Sequence, residues 1–257
     1  MSGSYRILLI LAFVFIVSGF NCNPSTYTTI PSTPQPELAT VVVDVNAAIV
    51  EPFTGFGVQW DPYSYPPSTA DWQMTLDRLD YMRPSLFRVM SMATDYCLGF
   101  DQNGAPIYVW NQGDTVIQQH LWQTFRILDY AQAHNIDVIL GEWAWPSDLA
   151  TPNASPIAGP DDPRWARIVA DYVTYLTNTK HYTIIKYYNF MNEPNGDWMW
   201  PSGQQPSFSR WSTGIRNLRA EFDSRNLNAI AIIGPDNAWS WEWLDQAEVL
   251  GFLYQCG

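Results

Sequence analysis

A length of 257 residues, 47% hydrophobic and only 15% charged, excludes a disordered chain and leaves room for one large domain or two small ones. A formal net charge of −12 argues against nucleic acid or an anionic membrane surface as partner, because phosphates demand Lys and Arg. The 13 Trp, 14 Tyr and 12 Phe are dense enough that most belong in a core, which turns attention to those that fall in loops.

Arg6, the apolar run Ile7 to Val17 and the small-residue exit Ser18-Gly19 read as an export signal over residues 1–22, the run being too short for a transmembrane helix. Cys22 offers a lipid anchor as an alternative, although Gly19-Phe20-Asn21 is a poor version of the small-residue box that precedes a lipidated cysteine. Either way the chain is expected to be secreted or held at the cell envelope. Residues 23–37, rich in Pro, Ser and Thr, read as a tether, and 38–257 as the domain it carries. With Cys22 removed or lipidated, Cys97 and Cys256 remain, and an oxidising compartment would allow them to pair. The sequon Asn153-Ala154-Ser155 matters only in a host that glycosylates.

Alternating β-formers over Thr40 to Val50 predict a short strand or hairpin, and from there strands and helices alternate in the manner of a parallel α/β fold. The predicted strands are Phe53–Trp60, leading into Asp61; Ser85–Met90; Ile136–Leu140, leading into Glu142-Trp143-Ala144-Trp145; Ile184–Glu193; and Ala229–Ile233, leading into Asp236 and Trp239. The predicted helices are Asp71–Tyr81, with Trp72, Leu76 and Leu79 on one face; Gln118–His134; Asp161 to about Thr177, capped by Asp with Pro163 in its first turn; Ser207–Ser224; and a last stretch reaching Tyr254. Ser91 to Gly113 reads as a long loop. A closed barrel of this kind takes eight strands and about 250 residues. The expected fold class is therefore α/β, of the (β/α)8 TIM-barrel type, truncated after about five βα units.

The fourth strand carries the chemistry. Ile184-Ile185-Lys186-Tyr187-Tyr188-Asn189-Phe190-Met191 is β-branched and aromatic, as a buried parallel strand is, and Asn192-Glu193-Pro194 ends it at the carboxyl end, where such folds build their sites. A carboxylic acid can protonate a glycosidic oxygen, and a neighbouring amide can hydrogen-bond the sugar 2-hydroxyl. The plainer reading is a surface turn that contains a Glu.

This segment, followed by Asn195-Gly196-Asp197-Trp198-Met199-Trp200, resembles the fourth-strand end of the clan A glycoside hydrolases, the retaining (β/α)8-barrel group that includes the family-5 cellulases and the family-30 and family-39 enzymes. The resemblance covers roughly residues 52 to 240. It implies Glu193 as acid/base, Asn192 as its sugar-contacting neighbour, and Arg88 as the strand-two arginine that steadies the catalytic carboxylates. It also implies a nucleophilic Glu on a seventh strand that this sequence does not contain, so no nucleophile is assigned.

Among other acids, Glu142 could act as the base of an inverting site, as a sugar-hydroxyl ligand or as a partner for Arg88. Asp236 reads as a loop cap, and Asp61 as a hydroxyl ligand or a turn former. Trp60, Trp143, Trp145, Trp198 and Trp239 stand at or just past strand ends, where one or two would stack on sugar rings and the rest pack loops. His120, His134 and His181 are too scattered for a metal site, and Gly55-Phe56-Gly57 lacks the third glycine of a phosphate loop, so no cofactor is called for. The expected partner is a β-linked polysaccharide or oligosaccharide hydrolysed with retention. The rivals are a non-catalytic sugar-binding surface protein and a truncated product without a stable fold. Sugar, linkage and oligomeric state stay open.

Overall fold

The computed structural model describes residues 54–63, 69–112, 119–149, 151, 155–201, 203–238 and 241–249. The expected export signal with Cys22, the tether, the strand or hairpin at 40–50, Asn153, Trp239 and Cys256 lie outside these residues. The chain divides into two units, Met1–Glu51 and Pro52–Gly257, and the described residues belong to the second.

In chain order the elements are β1 (Gly57–Gln59), α1 (Ala70–Met82), β2 (Leu86–Ser91), β3 (Cys97–Phe100), β4 (Pro106–Tyr108), α2 (Gln119–His134), β5 (Asp137–Glu142), α3 (Pro163–Thr174), β6 (Ile185–Asn189), α4 (Phe208–Ser224), β7 (Ala231–Ile233) and α5 (Glu242–Val249). Strands β1, β2, β5, β6 and β7 form one parallel sheet in that spatial order. This is the alternation of strands and helices read from the sequence. Three helix starts, those of α1, α3 and α4, are capped by a side chain. Thr69 accepts from the Trp72 N–H, Asp162 from Arg164 with Pro163 behind it, and Ser207 from Arg210. Helix α3 ends at Thr174 and continues as a π-helical turn over Tyr175–Thr179, which carries it to the expected end.

The pleat splits the sheet into two unequal faces. Phe87, Val89 and Ser91 of β2, Val138, Leu140 and Glu142 of β5 and Tyr188 of β6 point toward the helices, and all are essentially inaccessible. Phe87 stacks on Tyr130 of α2 and Tyr188 meets Phe222 of α4 edge-on, so the helix layer covers this face. On the opposite face Arg88, Ile139, Tyr187, Ala231 and Ile233 are only half-buried. That face is the inner wall of the sheet, away from the helices, and it holds the candidate site at its carboxyl end.

Gly141 sits on this inner wall, paired with Asn189 of β6. A Cβ there would lie 2.6 Å from the Asn189 carbonyl oxygen and 2.8 Å from the Met90 sulfur. Glycine is thus required by a close approach of backbone. The Gly141→Ala variant is expected to lose about 1–3 kcal/mol in chemical denaturation, since overpacking against a fixed carbonyl cannot relax. Unchanged stability would mean that β5 and β6 are spaced more loosely than this.

The long loop expected over Ser91 to Gly113 contains structure that the reading missed. Strands β3 and β4 pair antiparallel as a hairpin, turned by Asp101 to Gly104. Asp101 accepts from the Asn103 and Ala105 N–H groups, and Gly104 takes a positive φ of 76°.

Candidate active site

Three elements of the inner wall converge on Arg88. Its guanidinium donates to Gln59 Oε1 of β1 at 2.7 Å, to Asn192 Oδ1 beyond β6 at 2.7 Å, and to Asp236 Oδ2 beyond β7. The fork of an arginine suits this work because it holds several acceptors in one plane. Asp236 also accepts from Asn189 Nδ2 at 3.0 Å, and its backbone makes a parallel bridge to Asn192. Asp236, read from sequence as a loop cap, is in fact the acid that pairs with Arg88. Gln59 and Asn189 were not singled out by the sequence at all. Both are polar residues at strand ends; the register sets Gln59 beside Arg88, and Asn189 reaches the cluster through Asp236.

Strand β6 stops at Asn189 rather than running to Glu193. The Asn189 side chain accepts from the Met191 N–H at 3.3 Å, a side-chain turn that competes with the ladder. Asn192 is buried, and its N–H donates to the Glu142 carbonyl at 2.9 Å. Glu193 follows with φ of 41°, a left-handed conformation uncommon for a residue with a Cβ and found often at functional sites. The Glu193 carbonyl accepts from Gly196 at 2.8 Å, and its carboxylate Oε2 accepts from Trp198 Nε1 at 3.0 Å. One residue on, the Pro194 carbonyl accepts from Trp200 Nε1 at 2.9 Å. Trp200 in turn lies under the Arg210 guanidinium, which is tied to Asp161, Gln204 and the Ala158 carbonyl. The proton-donor candidate therefore sits on a loop anchored from both sides, as a preorganised group must.

Glu142 is a correction. It does not share a cleft with Glu193, and it neither meets Arg88 nor is open to a sugar. In register with Ser91 it faces the helices, fully buried, and its Oε1 accepts from Tyr96 at 2.8 Å, Tyr188 at 3.1 Å and Ser91 at 3.4 Å. Its Oε2 is buried without a partner. Burial, with a smaller push from the charge of Asp95, raises its pKa to about 8 despite those three donors. Next to it lies a polar cluster that the sequence did not announce. Asp95 accepts from Tyr63 at 2.5 Å and from the Met92 N–H at 2.9 Å, and meets His120 Nδ1 at 3.2 Å.

The tryptophans divide. Trp60 is 6% exposed and packs among Trp72, Phe87 and Tyr130, so it is core and not a sugar platform. Trp145 is 4% exposed against the edge of Trp200, which corrects the same expectation. Trp143 is half-buried with the Arg88 guanidinium 6.0 Å from its ring, and Trp198 is 46% exposed beside Glu193. Asp61 spends its two oxygens on Met90 N–H at 2.9 Å and Gln59 Nε2 at 2.6 Å, which ties the end of β1 to β2. The structure thus brings together Arg88, Asn192, Asp236 and Trp143, with Glu193 next to Asn192 in sequence and bonded to Trp198. It removes Trp60, Trp145 and Glu142. Among the described residues no group of three or more His, Cys, Asp or Glu is placed to hold a metal ion, and no helix is long and apolar enough to cross a membrane.

No sequence-family model matches the chain, and no curated protein sequence matches it. Solved structures match in fold. A GH39 enzyme from Xanthomonas axonopodis pv. citri superposes with a TM-score of 0.51 at 16% identity, over 79% of this chain and 40% of that one. SrfJ from Salmonella typhimurium gives 0.55 at 17% identity, over 79% and 48%. The catalytic domain of GH30 xylanase C from Talaromyces cellulolyticus gives 0.50 at 17%, over 79% and 51%. The chain spans about half of their length or less. Its parallel α/β fold is that of the TIM-barrel glycoside hydrolases, the clan A architecture that the fourth-strand segment resembles.

Proposed function

We propose that this chain carries the acid/base part of a retaining glycoside hydrolase acting on a β-linked poly- or oligosaccharide, with Glu193 as proton donor. The observation that carries the reading is the Arg88 guanidinium shared among Gln59, Asn192 and Asp236, with Glu193 next to Asn192 in the loop beyond β6. Arg88 occupies the Asn192 oxygen, which leaves the amide nitrogen to donate to a sugar 2-hydroxyl, a contact that strengthens as the transition state forms. Glu193 would protonate the glycosidic oxygen as the bond breaks, then take a proton from the water that releases the sugar. The nucleophile of such a site stands about 5–5.5 Å from the acid; none is assigned here. The GH30 xylanase among the structural neighbours makes β-linked xylan the first substrate to try. An exported or envelope-bound protein, as the amino terminus reads, would meet such polymers.

The test is a screen of β-linked polysaccharides with the full-length protein and its Glu193→Gln variant. The variant is expected to lose about 10²–10⁴-fold in turnover while still binding the saccharide. Turnover equal to the parent would end the assignment. Saccharide binding with no turnover by either protein would favour a non-catalytic sugar-binding protein.

A further inference from the structure

We infer that Trp198 floors the subsite for the sugar unit on the leaving-group side of the scissile bond, so that the substrate is a chain extending past Glu193 and not a single terminal sugar on a small alcohol. The inference rests on the reading of Glu193 as the proton donor. A donor delivers its proton to the bridging oxygen, so it stands beside the leaving group. An aromatic plate bonded to that donor therefore lies where the leaving sugar must rest.

Trp198 has this position. Its Nε1 donates to Glu193 Oε2 at 3.0 Å, and 46% of the residue is exposed. The other aromatics of the loop and its surroundings do not qualify: Trp200 and Trp145 are buried against each other. Trp143 lies by Arg88, on the side of the sugar whose 2-hydroxyl meets Asn192. The indole also rests closely on Gly196, where an added Cβ would run into its ring atoms. A side chain held by its edge bond and against the backbone loses little rotamer freedom when a sugar settles on it.

The probes are β-1,4-linked xylotetraose and cellotetraose, titrated calorimetrically into the full-length protein and its W198A, W198F and W122A variants. Trp122 is an equally exposed tryptophan on α2, stacked by Arg126, and serves as the control. W198A is expected to bind the preferred tetrasaccharide about tenfold more weakly, W198F within about threefold of the parent, and W122A unchanged. In 15N-labelled protein the indole resonance that W198F removes is expected to shift as the saccharide is added, and to shift without saccharide in E193Q. G196A, which displaces the ring but keeps the indole, is expected to weaken binding as W198A does. Undiminished tetrasaccharide affinity in W198A, or a Trp198 resonance that stays still during saturation, overturns the subsite while leaving the turnover test of Glu193 standing. Failure of the parent protein to bind either saccharide overturns both.

Discussion

At pH 9 the Glu142→Gln variant is expected to be more stable than the parent chain, although it replaces a buried residue with three hydrogen-bond donors around it. The folded state holds the Glu142 proton up to about pH 8, because burial outweighs the tyrosine and serine hydroxyls. In the unfolded chain an ordinary glutamate releases its proton near pH 4.3. The folded state thus binds more protons across the window between the two values, and stability falls as pH rises through it. The contribution is fully present below the unfolded value and is lost once pH passes about 8. A difference of this size corresponds to something on the order of 4–5 kcal/mol for the whole window. Glutamine has no proton to lose, so its curve omits the decline. Its amide nitrogen, however, takes a position where Oε2 had no partner, at a cost of about 1–3 kcal/mol. The variant should therefore be less stable at pH 4, cross the parent near pH 6, and exceed it by about 2–4 kcal/mol at pH 9. Urea unfolding at the three pH values measures this. Because every other ionisable group is common to the two proteins, only the difference between the curves belongs to Glu142. Parallel curves from pH 5 to 9 would show that Glu142 is ionised in the folded state.

That residue also shows where the sequence stopped being legible. The order and approximate ends of the strands and helices could be read, because apolar runs, caps and Pro/Gly punctuation are local signals. The fourth-strand segment stood out for the same reason: a sudden change from β-branched residues to Asn-Glu-Pro. What could not be read was which way each strand-end residue faces. In β5 Val138, Leu140 and Glu142 share one face and Ile139 and Gly141 the other, yet both faces are apolar in sequence. Only the register with Ser91 and Arg88 shows that Glu142 turns to the helices while Arg88 turns inward. Trp60 and Trp145 failed on the same ground, since position at a strand end does not separate a ring in the core from one in a cleft. The β3–β4 hairpin was more readable than it was read. Asn103-Gly104 after an Asp is a hairpin signal, obscured by strands only three or four residues long.

The expected loss from removing Arg88 is largest when its partners are left behind, and a double-mutant cycle shows it. Arg88→Met keeps the length and the apolar stem but strips the Asp236 carboxylate of its cation and the Asn192 amide oxygen of its donor. The side chains of Arg88 and Asp236 are 24% and 34% exposed, so water replaces part of what is lost. A cost of about 2–3 kcal/mol is expected, below the value for a fully buried pair. Asp236→Asn alone leaves a guanidinium with two of its three acceptors and should cost about 1–2 kcal/mol. In the double variant the uncompensated charge is gone on both sides, and the losses should fall short of their sum by about 1–2 kcal/mol. Arg88→Lys separates charge from geometry. An ammonium keeps the attraction to Asp236 but cannot span Gln59, Asn192 and Asp236 in one plane, so stability should recover more than turnover does. If Arg88→Lys restored both equally, a positive charge would suffice at this point and the planar fork would not be what aligns Asn192 for the sugar. If the single losses simply added, Arg88 and Asp236 would be neighbours without coupling. The inner wall would then owe its arrangement to packing alone, and the case for a prepared site at Glu193 would lose its support.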